Sequence, residues 1–318
     1  MTDIPVTGEP HWHSLRSAHG GASEAAALYG ESPWLTEFQL FHQKSGTLAP
    51  TDFSDNAAVN AGRFFEPAIA AWAREKWSVD GVPWPLLKVR RYIECGDCPE
   101  MGASLDYESI DGITERCCPV EIKWSVYGQG WEYEGDTLTD APLYYMIQVQ
   151  HQLACTGAAF GWLVAFCGGD LRRMRVEASP AIIADLKTRW RAFWAAVREG
   201  REPKPDYERD AAVIGALFRE AEDREIDLTG DGAVELLCAR MIEGKATAKM
   251  GEAIVEASKA ELLTKIGTAS RATVGQFRIV APSVAGSPGK IVTESMIGTM
   301  IGARKGYRRL DVKMEKEG

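Results

Sequence analysis

Ser104-Leu-Asp-Tyr-Glu-Ser-Ile-Asp-Gly-Ile-Thr-Glu-Arg-Cys-Cys-Pro-Val-Glu-Ile-Lys-Trp124 is the stretch on which the fold reading turns. Asp111-Gly112 is a strong hairpin turn signal. It separates Ser104-Leu105-Asp106 from Pro119-Val120-Glu121-Ile122-Lys123-Trp124 and so places Asp106 and Lys123 on neighbouring strands. Side chains alternate along a strand, so Glu121 and Lys123 project from one face. Just upstream, Lys88-Val-Arg-Arg-Tyr-Ile93 is short and rich in β-branched and aromatic residues, and reads as a further strand.

Outward from this hairpin the pattern is mixed α/β. Helical signals cover Ser23 to Leu28, Pro33 to Lys44 and Asn56 to Trp77, and a further helix runs from about Pro142 to Cys155. An apolar strand, Phe160 to Phe166, is followed by an alternating one, Leu171 to Glu177. Ser179-Pro180 opens a long amphipathic helix ending near Gly200, with serine as N-cap and proline in the first turn. Arg201-Glu-Pro-Lys-Pro-Asp206 reads as a linker, which divides the chain into residues 1–205 and 206–318. Beyond it, Asp206 to Glu222 and Gly232 to Ile266 read as helices. Val274 to Val280 with Lys290 to Thr293 reads as a hairpin, and Tyr307 to Lys313 as a last strand. No catalytic motif falls in this C-terminal helical and β-hairpin extension, which reads as an accessory or oligomerisation segment.

The chain has 318 residues, 45% hydrophobic and 25% charged, a soluble globular composition rather than a disordered one. No stretch approaches the length of a membrane span, and the first twenty residues lack a signal-peptide core. A cytoplasmic protein is expected. Seven cysteines, an odd number, fit a reducing compartment better than a disulfide framework. A net charge of −9 excludes a surface coated in basic residues, but leaves room for a local basic groove beside an acidic metal site. Arg172, Arg173, Arg175, Lys187, Arg189, Arg191, Arg198, Arg201 and Lys204 form one basic run, read first as a solvated helix face and second as a DNA groove.

The hairpin carries chemistry as well as fold. A divalent ion takes hard oxygen ligands, and Asp106 and Glu121 supply two. Lys123, on the same strand face as Glu121, could act on the same phosphate and attacking water. A chance pair of solvated charges on an edge hairpin is the plain alternative. Glu66, in Gly62-Arg-Phe-Phe-Glu66, lies on a helix with Phe65, Ile69 and Trp72 at helical spacing; it is either part of this group or a surface glutamate before a kinking Pro67. Tyr144, Gln148 and Gln152 share one helix face, pointing either at the strands or at solvent. Arg16 precedes Gly20-Gly-Ala-Ser23, an apparent helix N-terminus, which is an anion site or an ordinary cap.

Taken in order, Arg16, Ser23, Gly62-x-x-x-Glu66, Ser104-x-Asp106, Glu121-x-Lys123 and Gln148-Val-Gln150 resemble the lambda-type phage alkaline exonucleases, also called YqaJ-like viral recombinases, of the PD-(D/E)xK nuclease superfamily. The resemblance covers roughly residues 12 to 200. It implies a restriction-endonuclease-like α/β fold, a mixed central sheet flanked by helices. It also implies 5′-to-3′ digestion of one strand of linear duplex DNA to mononucleotides, leaving 3′ single-stranded tails for recombination. Asp106, Glu121 and the backbone carbonyl of Ile122 would bind Mg²⁺, with Mn²⁺ as a substitute; Lys123, Glu66 and Gln148 would complete the catalytic set. Arg16, Ser23 and Ser104 match positions that grip the 5′-terminal phosphate. Family members form homotrimer rings around DNA and work with a phage single-strand annealing protein, in the cytosol of a bacterial host. Three departures stand out: Leu105 replaces the superfamily's proline, Pro33 stands where a second basic phosphate ligand is expected (His42 and Lys44 are the substitutes at hand), and the C-terminal extension has no counterpart in smaller members.

Cys95-Gly-Asp-Cys98 with Cys117-Cys118 raises a structural metal as a rival, weakened because adjacent strand residues point to opposite faces. Two other functions stay open: an endonuclease with the same metal core, and a DNA-binding scaffold without catalysis.

Overall fold

The computed structural model describes residues 2–89, 91–110, 116–125 and 128–283. The chain forms two compact units, Met1–Leu217 and Phe218–Gly318. The first begins with β1 (Thr2–Pro5), α1 (Glu9–Ala18), β2 (Gly20–Gly21), a 3-10 helix (Ala22–Tyr29), α2 (Glu37–Lys44) and α3 (Ala57–Lys76). There follow β3 (Leu86–Lys88), β4 (Arg91–Glu94), β5 (Met101–Ser104), β6 (Tyr107–Ile110) and β7 (Cys117–Trp124). The rest is β8 (Glu132–Glu134), β9 (Thr137–Asp140), α4 (Leu143–Thr156), β10 (Phe160–Cys167), β11 (Asp170–Glu177), α5 (Pro180–Glu199) and α6 (Ala211–Leu217).

Among the described residues, seven strands make the central mixed sheet in the order β3-β6-β7-β10-β11-β9-β8, and a smaller sheet runs β1-β4-β5-β2. β7 pairs antiparallel with β6 and parallel with β10, Leu163 lying opposite Glu121. A parallel pair needs a crossover, and α4 supplies it. That connection lays α4 against the sheet, beside the middle of β7. Val120 and Ile122 face the other way, into a core with Ile69, Ala70 and Ala73 of α3 and with Val164 and Leu171. The two-residue alternation read from the sequence therefore holds: the apolar residues of β7 point to α3 and its charged residues to α4.

The α/β class with a mixed central sheet flanked by helices is as expected, but several local expectations are corrected. Lys88 to Ile93 is not one strand: Lys88 pairs with Tyr107 in the large sheet and Tyr92 with Ser104 in the small one. Ser104, Leu105 and Asp106 likewise do not form the hairpin strand. Ser104 ends β5 in the small sheet, Asp106 sits at a bend, and β6 is the strand that pairs with β7. The Asp111-Gly112 turn itself lies outside the described residues. Ser23 opens within a 3-10 rather than an α-helix.

The small sheet packs so closely on its neighbours that side chains are excluded at two points. A Cβ on Gly20 would come 2.3 Å from the Trp190 ring, and one on Gly102 would come 2.3 Å from the Tyr92 ring. Trp190 is fully buried and its Nε1 donates to His151 Nδ1 of α4 at 3.2 Å, so α5, α4 and the small sheet share one core. α5 starts as expected, with the Ser179 hydroxyl accepting from the Ile182 N–H.

The first unit continues past the prolines at 203 and 205, through residues 206–217. Buried Asp210 accepts from the Thr36 hydroxyl at 2.5 Å and from the Asp206 N–H at 2.8 Å, and these bonds tie the segment to the start of α2. Of the helix expected from Asp206 to Glu222, only Ala211–Leu217 forms. In the second unit, α7 (Gly232–Ile266) is capped by Asp231 and has no buried residue. A hairpin pairs β12 (Arg271–Val274) with β13 (Phe277–Val280), so Val274 and Val280 lie on opposite strands rather than on one. The expected strands at 290–293 and 307–313 lie outside the described residues.

Candidate active site

Glu121 is the centre of the site. It is 3% exposed, in the middle of β7, and three side chains converge on its carboxylate. Gln148 Nε2 donates to Oε1 at 2.6 Å and Gln152 Nε2 donates to Oε2 at 2.5 Å. Lys123 Nζ lies 2.5 Å from Oε1. A buried carboxylate is tolerated only with such partners. Gln148 and Gln152 are one helical turn apart on α4, so the polar helix face turns to the sheet and the solvent-facing alternative is excluded. Gln152 was missed as a site residue, although its i,i+4 spacing from Gln148 was a usable signal. Tyr145, one turn before Gln148, puts its ring 4.8 Å from Lys123 Nζ.

Asp106 meets β7 at the bend between β5 and β6, where its Oδ2 accepts from the Ile122 N–H at 3.1 Å. The residue retains some exposed surface, but its carboxyl is packed round by protein. That burial, then the facing Glu121 charge and Glu66, push its pKa up to about 8, with Lys123 and the Ile122 N–H opposing. For Lys123 burial is the largest influence and pulls its pKa down, but Glu121 and Asp106 together overcome it and hold the ammonium charged. Leu105, which stands in place of the expected proline, is buried in the core shared with Ile93 and Ala103. The bend survives because Leu105 anchors it from the apolar side.

Glu66 projects from α3 and ion-pairs with Lys88 of β3. It is near enough to Asp106 to raise that carboxyl's pKa, yet its own oxygen is engaged by Lys88. Pro67 does not end α3, which continues to Lys76.

Arg16, in the last turn of α1, donates from Nη2 to the Ser23 hydroxyl at 3.2 Å, while its guanidinium lies 4.7 Å from the Trp12 ring. β2 and β5 run parallel with Gly20 opposite Met101 and Gly21 opposite Gly102; Ser23 lies in the 3-10 helix that follows β2, and Ser104 ends β5. Two residues further, the β5 chain reaches Asp106. Arg16 and Ser23 thus meet each other, while Ser104 stands two residues before Asp106.

The two substitutes for a second basic ligand separate. His42 lies 3.3 Å from Glu202 and bonds Thr47. Lys44 joins the Arg16 group: its Nζ reaches the carbonyls of Arg16 at 2.7 Å and His19 at 2.9 Å, and Glu24 Oε2 at 2.8 Å. An ammonium has three N–H bonds, and all three of Lys44's are spent on the protein.

The basic run does not form one groove. Arg173 sits among the rings of Trp77, Trp84 and Trp162, and Arg172 is buried against Tyr133. Lys187 and Arg189 pair with Asp97 and Asp185. The cysteines are also dispersed: Cys95, Cys98 and Cys155 lie in one core, Cys118 is buried with its thiol on the Ser109 carbonyl, and Cys117 is exposed. Among the described residues, no group of three or more His, Cys, Asp or Glu side chains is placed to hold a metal by itself. No helix of the described residues is long and apolar enough to cross a membrane.

The family model for the YqaJ-like viral recombinase domain matches residues 11–159, the span from α1 to the end of α4. The crystal structure of the alkaline exonuclease LHK-Exo from Laribacter hongkongensis is 20% identical, with 65% of this chain and 100% of that chain covered and a TM-score of 0.44. LHK-Exo in complex with dAMP gives the same identity and coverage at a TM-score of 0.45. SSO0001 is 13% identical over 63% of this chain and 85% of that chain, with a TM-score of 0.34. No curated protein matches. Residues 11–159 are therefore similar to the YqaJ-like viral recombinase domain.

Proposed function

We propose that this protein is a Mg²⁺-dependent 5′-to-3′ exonuclease that degrades one strand of linear duplex DNA to mononucleotides and leaves 3′ tails for annealing-type recombination. The observation that carries this is the convergence on Glu121: a buried carboxylate facing Asp106, with Lys123 held against it by geometry. The match of residues 11–159 to the YqaJ-like viral recombinase domain supports the nuclease class.

The donor set suits a hard cation. Mg²⁺ is commonly held by one or two carboxylates and completed by water and substrate phosphate, so Asp106 and Glu121 suffice. Asp106, Glu121 and the Ile122 carbonyl would hold the metal, and Mn²⁺ would fit the same donors. Bound there, it would neutralise the scissile phosphate and make water a better nucleophile. Lys123 keeps a positive charge beside Glu121, where it orients the attacking water and balances developing charge. Gln148 and Gln152 fix the Glu121 carboxylate, and Glu66, steadied by Lys88, adds negative charge near Asp106. Arg16, Ser23 and Ser104 would receive the 5′-phosphate, setting the next linkage over the carboxylates and giving the reaction its direction. Duplex DNA ends, a homotrimer ring and a phage annealing partner follow from the family alone, as does a place in the bacterial cytosol.

The test is digestion of linear duplex with and without a 5′-phosphate, in Mg²⁺ and then in chelator. Metal-dependent release of acid-soluble nucleotides, faster from phosphorylated ends, is expected. No release from any end would defeat the reading, and cleavage of covalently closed circles would favour an endonuclease.

A further inference from the structure

Trp34 is the most exposed of the ten tryptophans, with 65% of its surface open to solvent. One exposed apolar side chain is ordinary on a protein surface, so the mounting and position of this indole are what matter. It is not a loose side chain. The Trp34 and Leu35 N–H groups both point at the Ser32 hydroxyl, and Arg209 holds the Ser32 carbonyl. On the other side, Thr36 caps α2 and donates to buried Asp210. The short loop is therefore pinned at both ends by residues that follow α5. This bracing gives residues 206–210, which read from sequence as the start of a helix, a purpose in holding the loop.

The ring is also placed with respect to the chemistry. Trp34 meets Tyr144 edge-on with centroids 4.9 Å apart, and lies 6.5 Å from Tyr145. Tyr145 in turn stands 4.8 Å from Lys123 Nζ, which touches Glu121. Three rings thus run from the ammonium at the carboxylate centre out to the surface. A nucleotide has matching parts, a phosphate joined through a sugar to a flat π surface.

We propose that Trp34 is a nucleobase-stacking platform, on which the base beside the scissile linkage rests while its phosphate lies at Asp106, Glu121 and Lys123. This rests on the exonuclease reading and adds a binding residue to it. Stacking on an indole is indifferent to base identity, since every base has a π face, so the platform suits an enzyme that must digest any sequence. Its rigid mounting means that little ordering entropy is lost when a base arrives.

The test uses the full-length chain in a Lys123→Ala background, with linear duplex bearing 2-aminopurine at the 5′-terminal nucleotide or at an internal one. Binding should quench the terminal probe, Trp34→Ala should abolish that quench, Trp34→Phe should retain it, and the internal probe should not respond. With Lys123 intact, Trp34→Ala should raise KM for duplex ends on the order of tenfold, the cost of losing one base stack, with kcat changing far less. Quenching or KM unchanged by Trp34→Ala would overturn the proposal. So would a changed sedimentation mass in Trp34→Ala, because the ring would then belong to a contact between subunits. A wild-type chain that cuts no linear duplex would defeat the underlying nuclease reading, and the fluorescence arm, which needs no cleavage, would still judge Trp34.

Discussion

Lys44→Met separates a phosphate ligand from a structural cation. The substitution keeps the length of the side chain and removes its charge. In the folded protein, the Lys44 ammonium satisfies Glu24 and the carbonyls of Arg16 and His19. Burial is the largest influence on Glu24 and would raise its pKa; Lys44, then Arg16, more than reverse it and keep the carboxylate ionised. Without Lys44, Glu24 retains the Gly21 N–H at 2.8 Å and the Arg16 guanidinium at 3.5 Å. Removing one partner of a buried ion pair costs about 3–5 kcal/mol, and the partners that remain favour the lower end, about 3 kcal/mol. For a unit of this size each kcal/mol moves Tm by about 2–4 °C, so a fall of about 6–12 °C is expected. Thermal melts of the full chain at neutral pH measure it, with Glu24→Gln/Lys44→Met as the companion. Neutralising Glu24 removes the stranded charge, so the double variant should regain at least half of the loss. If Lys44→Met instead melts with the wild type and loses discrimination for 5′-phosphorylated ends, Lys44 binds phosphate and the reasoning is refuted.

Lys123→Ala should abolish cleavage while leaving DNA binding intact, and normal turnover by that variant would sink the site assignment. Gln152→Leu should lower kcat about 10–100-fold, the usual cost of freeing a ligand from its support. Its effect on Tm should be small, because the lost charge-assisted bond of about 1.5–3 kcal/mol is offset by removing an orphaned buried Gln152 Oε1 worth about 1–3 kcal/mol. A large Tm loss with unchanged kcat would show a packing role only. His151 supplies a pH dependence: it is fully buried between Trp190 and the Gly102 carbonyl, and burial lowers its pKa to about 4 against an ordinary 6.5. The unfolded chain therefore binds the proton first. Stability is intact above pH 6.5 and declines as pH falls toward 4, by about 3 kcal/mol from this group. Denaturant titrations across that window should show a shallower decline in His151→Gln, and an equal slope would refute the assignment.

Much of the site could be read from local rules. Glu121 and Lys123 sit two apart on a strand, and nothing in the tertiary structure could put them on opposite faces without breaking β7. Gln148 and Gln152 sit one helical turn apart for the same kind of reason. Two of the corrections share one cause, the switching of the chain between sheets. Lys88 to Ile93 and Ser104 to Asp106 each look like single strands, because β propensity does not record which partner a residue pairs with. The structure divides both, and the bend this creates is where Asp106 lies.

The sequence by itself determined the alternation of β7 and the cap and length of α5, since each depends on neighbours a few positions away. Only the tertiary structure decided that the polar face of α4 is buried, because that follows from the crossover joining parallel β7 and β10. It alone decided that Lys44 is spent on Glu24 and two carbonyls rather than left for a ligand. It also mounted Trp34 against Tyr144 and Tyr145, using Arg209 and Asp210 from a segment that reads as a helix. Local periodicity fixes the direction in which a side chain points, but what it meets there depends on chain returning from far along the sequence.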